Sequence, residues 1–523
     1  MAYNRLLMKE SPSKFNLLDY FLNPARLARL GHRTAIEFRH KRLTYNDLRG
    51  EVDYWARKIT DSGITQSDRV ALALLDSPEL IASFLATVSV GAIAVPINTF
   101  LSRDEIQFII ADCDAQLVIT ESELAPKANA LSTGDKFSVM FVDTHARPCF
   151  ELEREAYGSQ SQTETTGESP AFLLYTSGST GAPKGALHLH GAIPVTVENY
   201  SDSILRLTEE DRLYSSSRLF FAYGLGNSLS FPLAAGATVI LDSERPTPER
   251  LARIFAERRP SVFFGVPALY RALLDYNGSG ERLDLSSVRL CVSAGEALPA
   301  KIFEDWRREF GLEILDGIGS TEMLHIFISN RAGEARGGSS GRIVEGYEAR
   351  LVGDNGGEVG VDEAGKLWVK GASAMAGYWN REELTRATIR DGWVRTGDVY
   401  RRDAEEFFYH VGRSDDCFKV RGLWVSPVEI ESVLLTHKAV ADAAVVAAKD
   451  EQGLATARAY LVIRNAEGSE ELKRELRDFA AARLPQYKVP AQIEFINEMP
   501  RTSTGKIQRY RLRAAAQQRG SEG

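Results

Sequence analysis

Tyr175-Thr-Ser-Gly-Ser-Thr-Gly-Ala-Pro-Lys184-Gly185 follows directly on an apolar run over residues 171–174, and this junction of strand and glycine-rich loop decides how the chain is read. Gly178, Gly181 and Gly185 lack a Cβ, so backbone N–H groups can close on an anion. The hydroxyls of Thr176, Ser177, Ser179 and Thr180 add donors, and Lys184 adds one mobile positive charge. Such a loop holds phosphates. It is not a G-x-x-x-x-G-K-[ST] loop, because Pro183 precedes the lysine and Gly185 follows it. A G-x-S-x-G hydrolase elbow also fails, since Ser177 stands two residues before Ser179. By composition alone the string could also be a flexible Gly/Ser turn.

Outward from the loop, strand-like runs at residues 70–75, 117–120, 171–175, 237–241, 261–265 and 288–293 alternate with amphipathic stretches. In the stretch 248–258, Leu251, Ile254 and Phe255 recur at helical spacing. This is an α/β pattern. Residues 158–170 are polar and turn-rich and read as a surface loop. Residues 80–102 carry no charge and are long enough to cross a bilayer. Ser77-Pro78-Glu79 is a helix start, Gly91 a stop, and residues 93–97 a short strand, so we expect a buried helix and strand there instead. Beyond residues 411–416 the pattern changes to a compact set: helix 429–435, strands 439–447 and 459–463, and a helix over 470–484 with Leu472, Leu476, Phe479 and Ala480 on one face. A segment of about a hundred residues suffices for a domain. We place the boundary at Asp415, giving a large mixed α/β region over 1–414 and a small, mobile α+β domain over 415–523.

The 523 residues imply about two to four folding units. Hydrophobic residues at 44% and charged residues at 26% exclude disordered and fibrous classes. With 63 Lys+Arg against 71 Asp+Glu the net charge is −8, the wrong sign for nucleic acid as a partner. An anionic small molecule must therefore be held by a few placed cations and backbone N–H groups. Cys113, Cys149, Cys291 and Cys417 lie far apart without a CxxC pair, which fits neither a zinc site nor a disulfide framework. The N-terminus lacks the apolar stretch of a secretory signal, so a cytoplasmic setting without a membrane span is expected.

Further strings follow in order: Ser293-Ala-Gly-Glu-Ala-Leu298, Asp316-Gly-Ile-Gly-Ser-Thr-Glu322, Gly377-Tyr-Trp-Asn380, Arg395-Thr-Gly-Asp398, Gly412-Arg-Ser-Asp-Asp416, Lys419-Val-Arg-Gly422, Pro427-Val-Glu-Ile-Glu431 and Pro500-Arg-Thr-Ser-Thr-Gly-Lys506. With the phosphate loop, this ordered set resembles the adenylate-forming ligases, which include acyl-CoA synthetases, luciferases and peptide-synthetase adenylation domains. The resemblance covers nearly the whole chain. It implies a two-step reaction in which a carboxylate attacks the α-phosphate of ATP to give an acyl-adenylate and pyrophosphate, and a thiol, that of coenzyme A, then displaces AMP.

The same resemblance implies residue roles. Lys506 would lie between carboxylate and α-phosphate and screen two anions. Thr180 and Glu322 would form the Mg2+ side, with Thr176, Ser177, Gly178, Ser179, Gly181, Lys184 and Thr321 around the nucleotide phosphates. Gly295, Glu296, Ala297, Asp316, Gly317 and Ile318 resemble the adenine site, although many family members have tyrosine where this chain has Ile318. Asp398 suits the ribose hydroxyls, and Arg413 can donate to the same sugar. Asp415 falls at the family's hinge, about which rotation would exchange Lys506 for the Lys419 to Gly422 segment, where Gly422 leaves room for a pantetheine arm.

Leu219-Phe-Phe-Ala-Tyr-Gly-Leu-Gly-Asn227 and Gly319-Ser-Thr-Glu-Met-Leu-His-Ile-Phe327 resemble the benzoate-CoA ligase branch. By that resemblance Ala222, Tyr223, Phe231, Gly319, His325 and Ile326 line a short, flat acyl site for benzoate or a small substituted benzoate such as 2-aminobenzoate. Two other readings share these motifs: a stand-alone enzyme loading an aryl acid onto a carrier protein, and a catalytically silent nucleotide-binding homologue. Lys506, Lys184 and Glu322 all being present weighs against the silent form.

Overall fold

The computed structural model describes residues 14–121, 124, 138–142, 163–176, 182–420, 423–449, 454–464, 468–501 and 507–519. The chain divides into two compact units, Met1–Glu348 with Val369–Val394, and Ala349–Trp368 with Arg395–Gly523. The expected boundary at Asp415 falls inside the second unit, two residues past a strand ending at Arg413 and within a turn in which Cys417 N–H donates to the Arg413 carbonyl at 2.7 Å.

In the first unit a seven-stranded sheet runs in the order Gly377–Tyr378, Lys184–Leu189, Pro170–Thr176, Ile93–Pro96, Arg69–Ala73, Leu117–Glu121, Ser138–Val142. Its parallel centre is buried on both faces, which is why those strands read as unbroken apolar runs. The uncharged stretch that could have crossed a bilayer lies within this layer. It forms the helix Pro78–Ser89, capped by Ser77 and buried along its whole length, and then the strand Ile93–Pro96. Among the described residues no helix is long and apolar enough to cross a membrane.

A nine-stranded sheet runs Arg342–Ile343, Ile326–Ser329, Ile314–Gly319, Leu290–Ser293, Val262–Gly265, Arg212–Ser215, Thr238–Leu241, Thr34–Phe38, Lys41–Thr44. It is parallel from Ile314–Gly319 through Thr34–Phe38 and antiparallel at both edges. The helix Pro248–Arg258 has the expected bounds, with Thr247 accepting from Arg250 N–H as the cap. Leu251 and Phe255 enter a core with Phe263, Tyr270 and Trp306, and Ile254 packs on its margin. Tyr270 and Trp306 meet edge to face at 4.8 Å. Such an aromatic pair contributes about 0.5–1.5 kcal/mol beyond the area it buries.

The second unit carries the strand Phe408–Arg413, paired antiparallel with Trp393–Arg402, of which the unit holds the part from Arg395 on, and a three-stranded sheet in the order Val440–Lys449, Ala455–Ile463, Gln492–Phe495. Helices Pro427–Leu435 and Glu470–Ala481 bury Ile430, Leu434, Leu476 and Ala480 with Val445 and Leu461. Strands first and flanking helices make this unit α+β, beside the mixed α/β first unit.

Candidate active site

The two strands that flank the phosphate loop in sequence pair with each other. Strand Pro170–Thr176 pairs with Lys184–Leu189 so that Thr176 faces Lys184 and Tyr175 faces Gly185. A Cβ on Gly185 would stand 2.9 Å from Tyr175 Cζ, so only glycine leaves that ring its place. The Tyr175 hydroxyl donates to Asp112 Oδ2 at 2.7 Å, and Asp112 pairs with Arg381 at 2.6 Å. The stem is therefore anchored from outside. Ser177, Gly178, Ser179, Thr180 and Gly181 lie outside the described residues, as do Gly422 and Lys506.

From the stem, Lys184 reaches Glu322. Its Nζ donates to the Tyr378 hydroxyl at 2.5 Å, that hydroxyl donates to Glu322 Oε1 at 2.5 Å, and the ammonium lies 3.4 Å from the same oxygen. The ammonium also sits 4.1 Å from the Tyr378 ring centroid. Burial pushes the Glu322 carboxyl upward, but Lys184 and the Tyr378 hydroxyl outweigh it and hold the group below its ordinary value. Glu322 is carried by one 3-10 turn, Thr321–Met323, capped by Ser320. Leu324 closes that turn at φ 68°, a conformation that costs a non-glycine residue about 1–3 kcal/mol. The Thr321 carbonyl accepts from His188 Nε2 at 2.8 Å, and burial pulls that imidazole down to about 4, so it stays neutral.

Ser293, at the carboxyl end of its strand, is the register partner of Asp316 on the adjacent parallel strand. Gly295 and Glu296 are exposed in the loop after the first, and Gly317 is buried while Ile318 is half-buried on the second. Gly295 takes φ +94°, which glycine adopts without strain, and Ala297 follows in the same loop. Burial raises the Asp316 carboxyl to about 8, against the smaller opposing pull of Ser293, Leu298 N–H and Ser340. Ligands of open α/β sheets collect at such carboxyl ends.

His325 is the hub of the expected acyl residues. Its ring meets Phe231 edge to face at 4.5 Å and Tyr223 at 5.6 Å, and Nε2 donates to Asn227 Oδ1 at 3.2 Å. Burial takes its imidazole down to about 3. Gly319 pairs with Ile326, and a Cβ there would stand 2.6 Å from the His325 carbonyl. Gly226 makes equal room, since its Cβ would come 2.6 Å from His325 Nε2. Ala222 opens the short helix Ala222–Leu225, which runs into a π-helical turn, Gly226–Ser230, and then Phe231. The wide turn swings Asn227 and Phe231 toward one ring. Phe231, Ile326 and His325 are fully buried, Ala222 nearly so, Tyr223 half-buried and Gly319 exposed.

In the second unit Asp398 Oδ1 lies 3.2 Å from Arg413 Nη1 and 3.7 Å from His410 Nε2. Burial raises this carboxyl, yet His410 and Arg413 together outweigh burial and hold it low. Asp415 is exposed, its carbonyl accepting from Arg513 Nη1 at 2.9 Å, and Lys419 pairs with Asp354 at 2.5 Å.

Residues 24–379 match the family described as AMP-binding enzyme, and residues 429–506 match the AMP-binding enzyme C-terminal domain. The chain belongs to the AMP-binding enzyme family. It is 40% identical over 512 residues to the benzoate–CoA ligase of Thauera aromatica, covering 96% of this chain and 97% of that one. Among solved structures it resembles a benzoate CoA ligase from Burkholderia xenovorans LB400, with TM-score 0.85, 39% identity and 95% and 100% of the two chains covered. It also resembles the anthranilate CoA ligase AuaEII in complex with anthranoyl-AMP, with TM-score 0.88, 36% identity and 97% and 98% covered.

For an AMP-binding enzyme the residues present fit magnesium in one respect. Glu322, contacted at Oε1 by lysine and phenol, offers a carboxylate, the hard oxygen ligand that magnesium takes. Among the described residues no group of three or more His, Cys, Asp and Glu side chains could hold a metal ion, so such an ion would draw most of its ligands from phosphate and water. Sequence reading missed Tyr378, Asn227 and His410. Tyr378 stands in a string quoted above, but nothing in its spacing points to Lys184, 194 residues away. Asn227 and His410 carry no periodic signal.

Proposed function

We propose that this AMP-binding enzyme is an ATP-dependent aryl-CoA ligase, acting on benzoate or a small substituted benzoate such as 2-aminobenzoate. The observation that carries this reading is the cluster of aromatic side chains around His325, with Phe231 and Ile326 buried beside it and the small residues Ala222 and Gly319 in the same two segments. A planar acid suits such surroundings, whereas an alkyl chain needs an open tunnel.

In the proposed mechanism Lys184 and the loop N–H groups bind the phosphates, while the loops after Leu290–Ser293 and Ile314–Gly319 take the adenine. Magnesium, when bound, screens phosphate charge, and Thr180 and Glu322 would hold it. The acid's carboxylate attacks the α-phosphorus, the bond to pyrophosphate breaks, and Lys506 offsets the charge that develops. Asp398 and Arg413 take the ribose. Rotation about Asp415 then withdraws Lys506 and brings Lys419 to Gly422 forward, so residues 415–523 move as the expected domain, and the thiolate of coenzyme A displaces AMP. The widely spaced cysteines support a reducing, cytoplasmic setting. A pyrophosphate-release assay with ATP and a panel of acids, repeated with coenzyme A and with a carrier protein as acceptor, tests the reading. Release with benzoate and thioester formed on coenzyme A are expected; acceptance of the carrier protein alone would redirect it.

A further inference from the structure

Three distant segments meet at one hydroxyl. Lys184 comes from the strand that follows the phosphate loop in sequence, Glu322 from the turn after Ile314–Gly319, and Tyr378 from the edge strand Gly377–Tyr378. That edge strand is bound to the lysine's own strand, with Tyr378 opposite Ala186 and Trp379 N–H donating to the Gly185 carbonyl at 2.8 Å. Tyr378 N–H donates to Thr385 Oγ1 at 2.9 Å, and a Cβ on Gly377 would stand 2.9 Å from Thr385 Cγ2, so glycine there lets the threonine close on the tyrosine backbone. Tyr378 is 5% exposed. The phenol thus has one place to stand.

From that place the hydroxyl makes a directed chain. It accepts from the Lys184 ammonium and donates to Glu322 Oε1, both at 2.5 Å, using its donor and an acceptor lone pair at once. Lysine and carboxylate already form an ion pair, held at 3.4 Å with the hydroxyl bonded to both, and without the hydroxyl they are free to close further. A tighter pair would turn both charges on each other. An ammonium spent on a carboxylate is a weaker partner for phosphate, and a carboxylate folded onto an ammonium presents less charge to a cation.

We propose that Tyr378 is a positioning residue for the nucleotide: its hydroxyl keeps the Lys184–Glu322 ion pair long, so that the ammonium can turn to a phosphate and the Glu322 carboxylate to the cation that accompanies it. This rests on the aryl-CoA ligase reading, which assigns phosphate and magnesium to these two side chains. It acts through both residues and touches neither carboxylate substrate nor thiol.

The test is Tyr378→Phe, which keeps the ring over Lys184 and removes only the oxygen. Binding of ATP is measured by calorimetry without an acid substrate, so that no turnover occurs, with magnesium and with EDTA. We expect affinity for ATP with magnesium to fall about 5- to 30-fold, less than the loss of a direct charge-assisted hydrogen bond because Tyr378 acts on the nucleotide only through its two partners, and the magnesium-dependent increment in affinity to shrink. The KM for benzoate and the rate of thioester formation from supplied benzoyl-AMP should stay within about twofold of wild type, since neither needs the pair. Unchanged ATP binding, or equal losses in both half-reactions, would overturn the proposal. The wild-type protein run alongside separates this from the reading beneath it: wild type that forms no benzoyl-AMP from ATP defeats the ligase assignment, whereas active wild type matched by Tyr378→Phe defeats the role of Tyr378 alone.

Discussion

Arg413 stands in register with Asp398 across two antiparallel strands, its Nη1 3.2 Å from the carboxylate. The glycine before Asp398 makes this possible. Gly397 takes φ +81°, and a Cβ there would come 2.8 Å from Arg413 Nη2. The last residue of Arg395-Thr-Gly-Asp398 is thus held by the first arginine of the string that follows it.

Replacing Asp398 by Asn keeps the shape and removes the charge. Affinity for ATP and AMP is expected to fall about 10- to 100-fold, the value of a hydrogen bond to an ionised group, with the KM for the aryl acid unchanged. Because the folded-state pKa is depressed, this carboxylate stabilises the protein at neutral pH, and that contribution is lost as pH falls through the depressed pKa. Nucleotide titrations and melting curves at neutral and acid pH check both parts.

Asp316 behaves oppositely. Its carboxyl is raised to about 8, so its contribution is full below the ordinary carboxylate range and is lost as pH climbs to about 8. In the ligand-free protein Asp316→Asn should therefore melt progressively higher relative to wild type as pH rises from about 5 to about 9. A difference in melting temperature that does not change with pH would show that Asp316 is already ionised in the folded chain.

Two glycines separate steric from conformational cost. Gly341 and Gly333 both take positive φ, but a Cβ at Gly341 would fall on the backbone of Ser329 and Asn330, whereas at Gly333 it meets nothing within 4 Å. Gly341→Ala should destabilise by about 2–5 kcal/mol, overpacking added to strain, and Gly333→Ala by only about 1–2 kcal/mol. Chemical denaturation of the two variants side by side reads the difference.

The phosphate-loop stem, the helix over 248–258 and the buried helix and strand within 80–102 were legible in sequence because each is specified locally, by a cap, a glycine or a periodic apolar face. The edges of the two compact units carry no such local signal. Composition marks Asp415, but strand pairing joins Trp393–Arg402 with Phe408–Arg413 ahead of it, and a ladder between polar and apolar residues leaves no compositional edge. Tyr378 and Asn227 escaped for another reason: their partners lie 194 and 98 residues away, and only the assembled sheets bring them together.

Lys506 and Gly422 should divide the two half-reactions. Lys506→Ala is expected to cripple adenylation while leaving thioester formation from supplied acyl-adenylate largely intact, because the lysine serves one conformation. A bulky residue at Gly422 should block the thioester step and spare ATP–pyrophosphate exchange. Equal losses in both steps, for either variant, would remove the two-conformation account.

The most direct test of the central claim is ATP–pyrophosphate exchange measured without coenzyme A, one carboxylic acid at a time. The aromatic cluster of Phe231 and His325, with small Ala222 and Gly319 in the same two segments, predicts exchange with benzoate and with 2-aminobenzoate and little with octanoate, palmitate or acetate. Octanoate supporting exchange with a specificity constant equal to that of benzoate, or neither aryl acid supporting any, would contradict it.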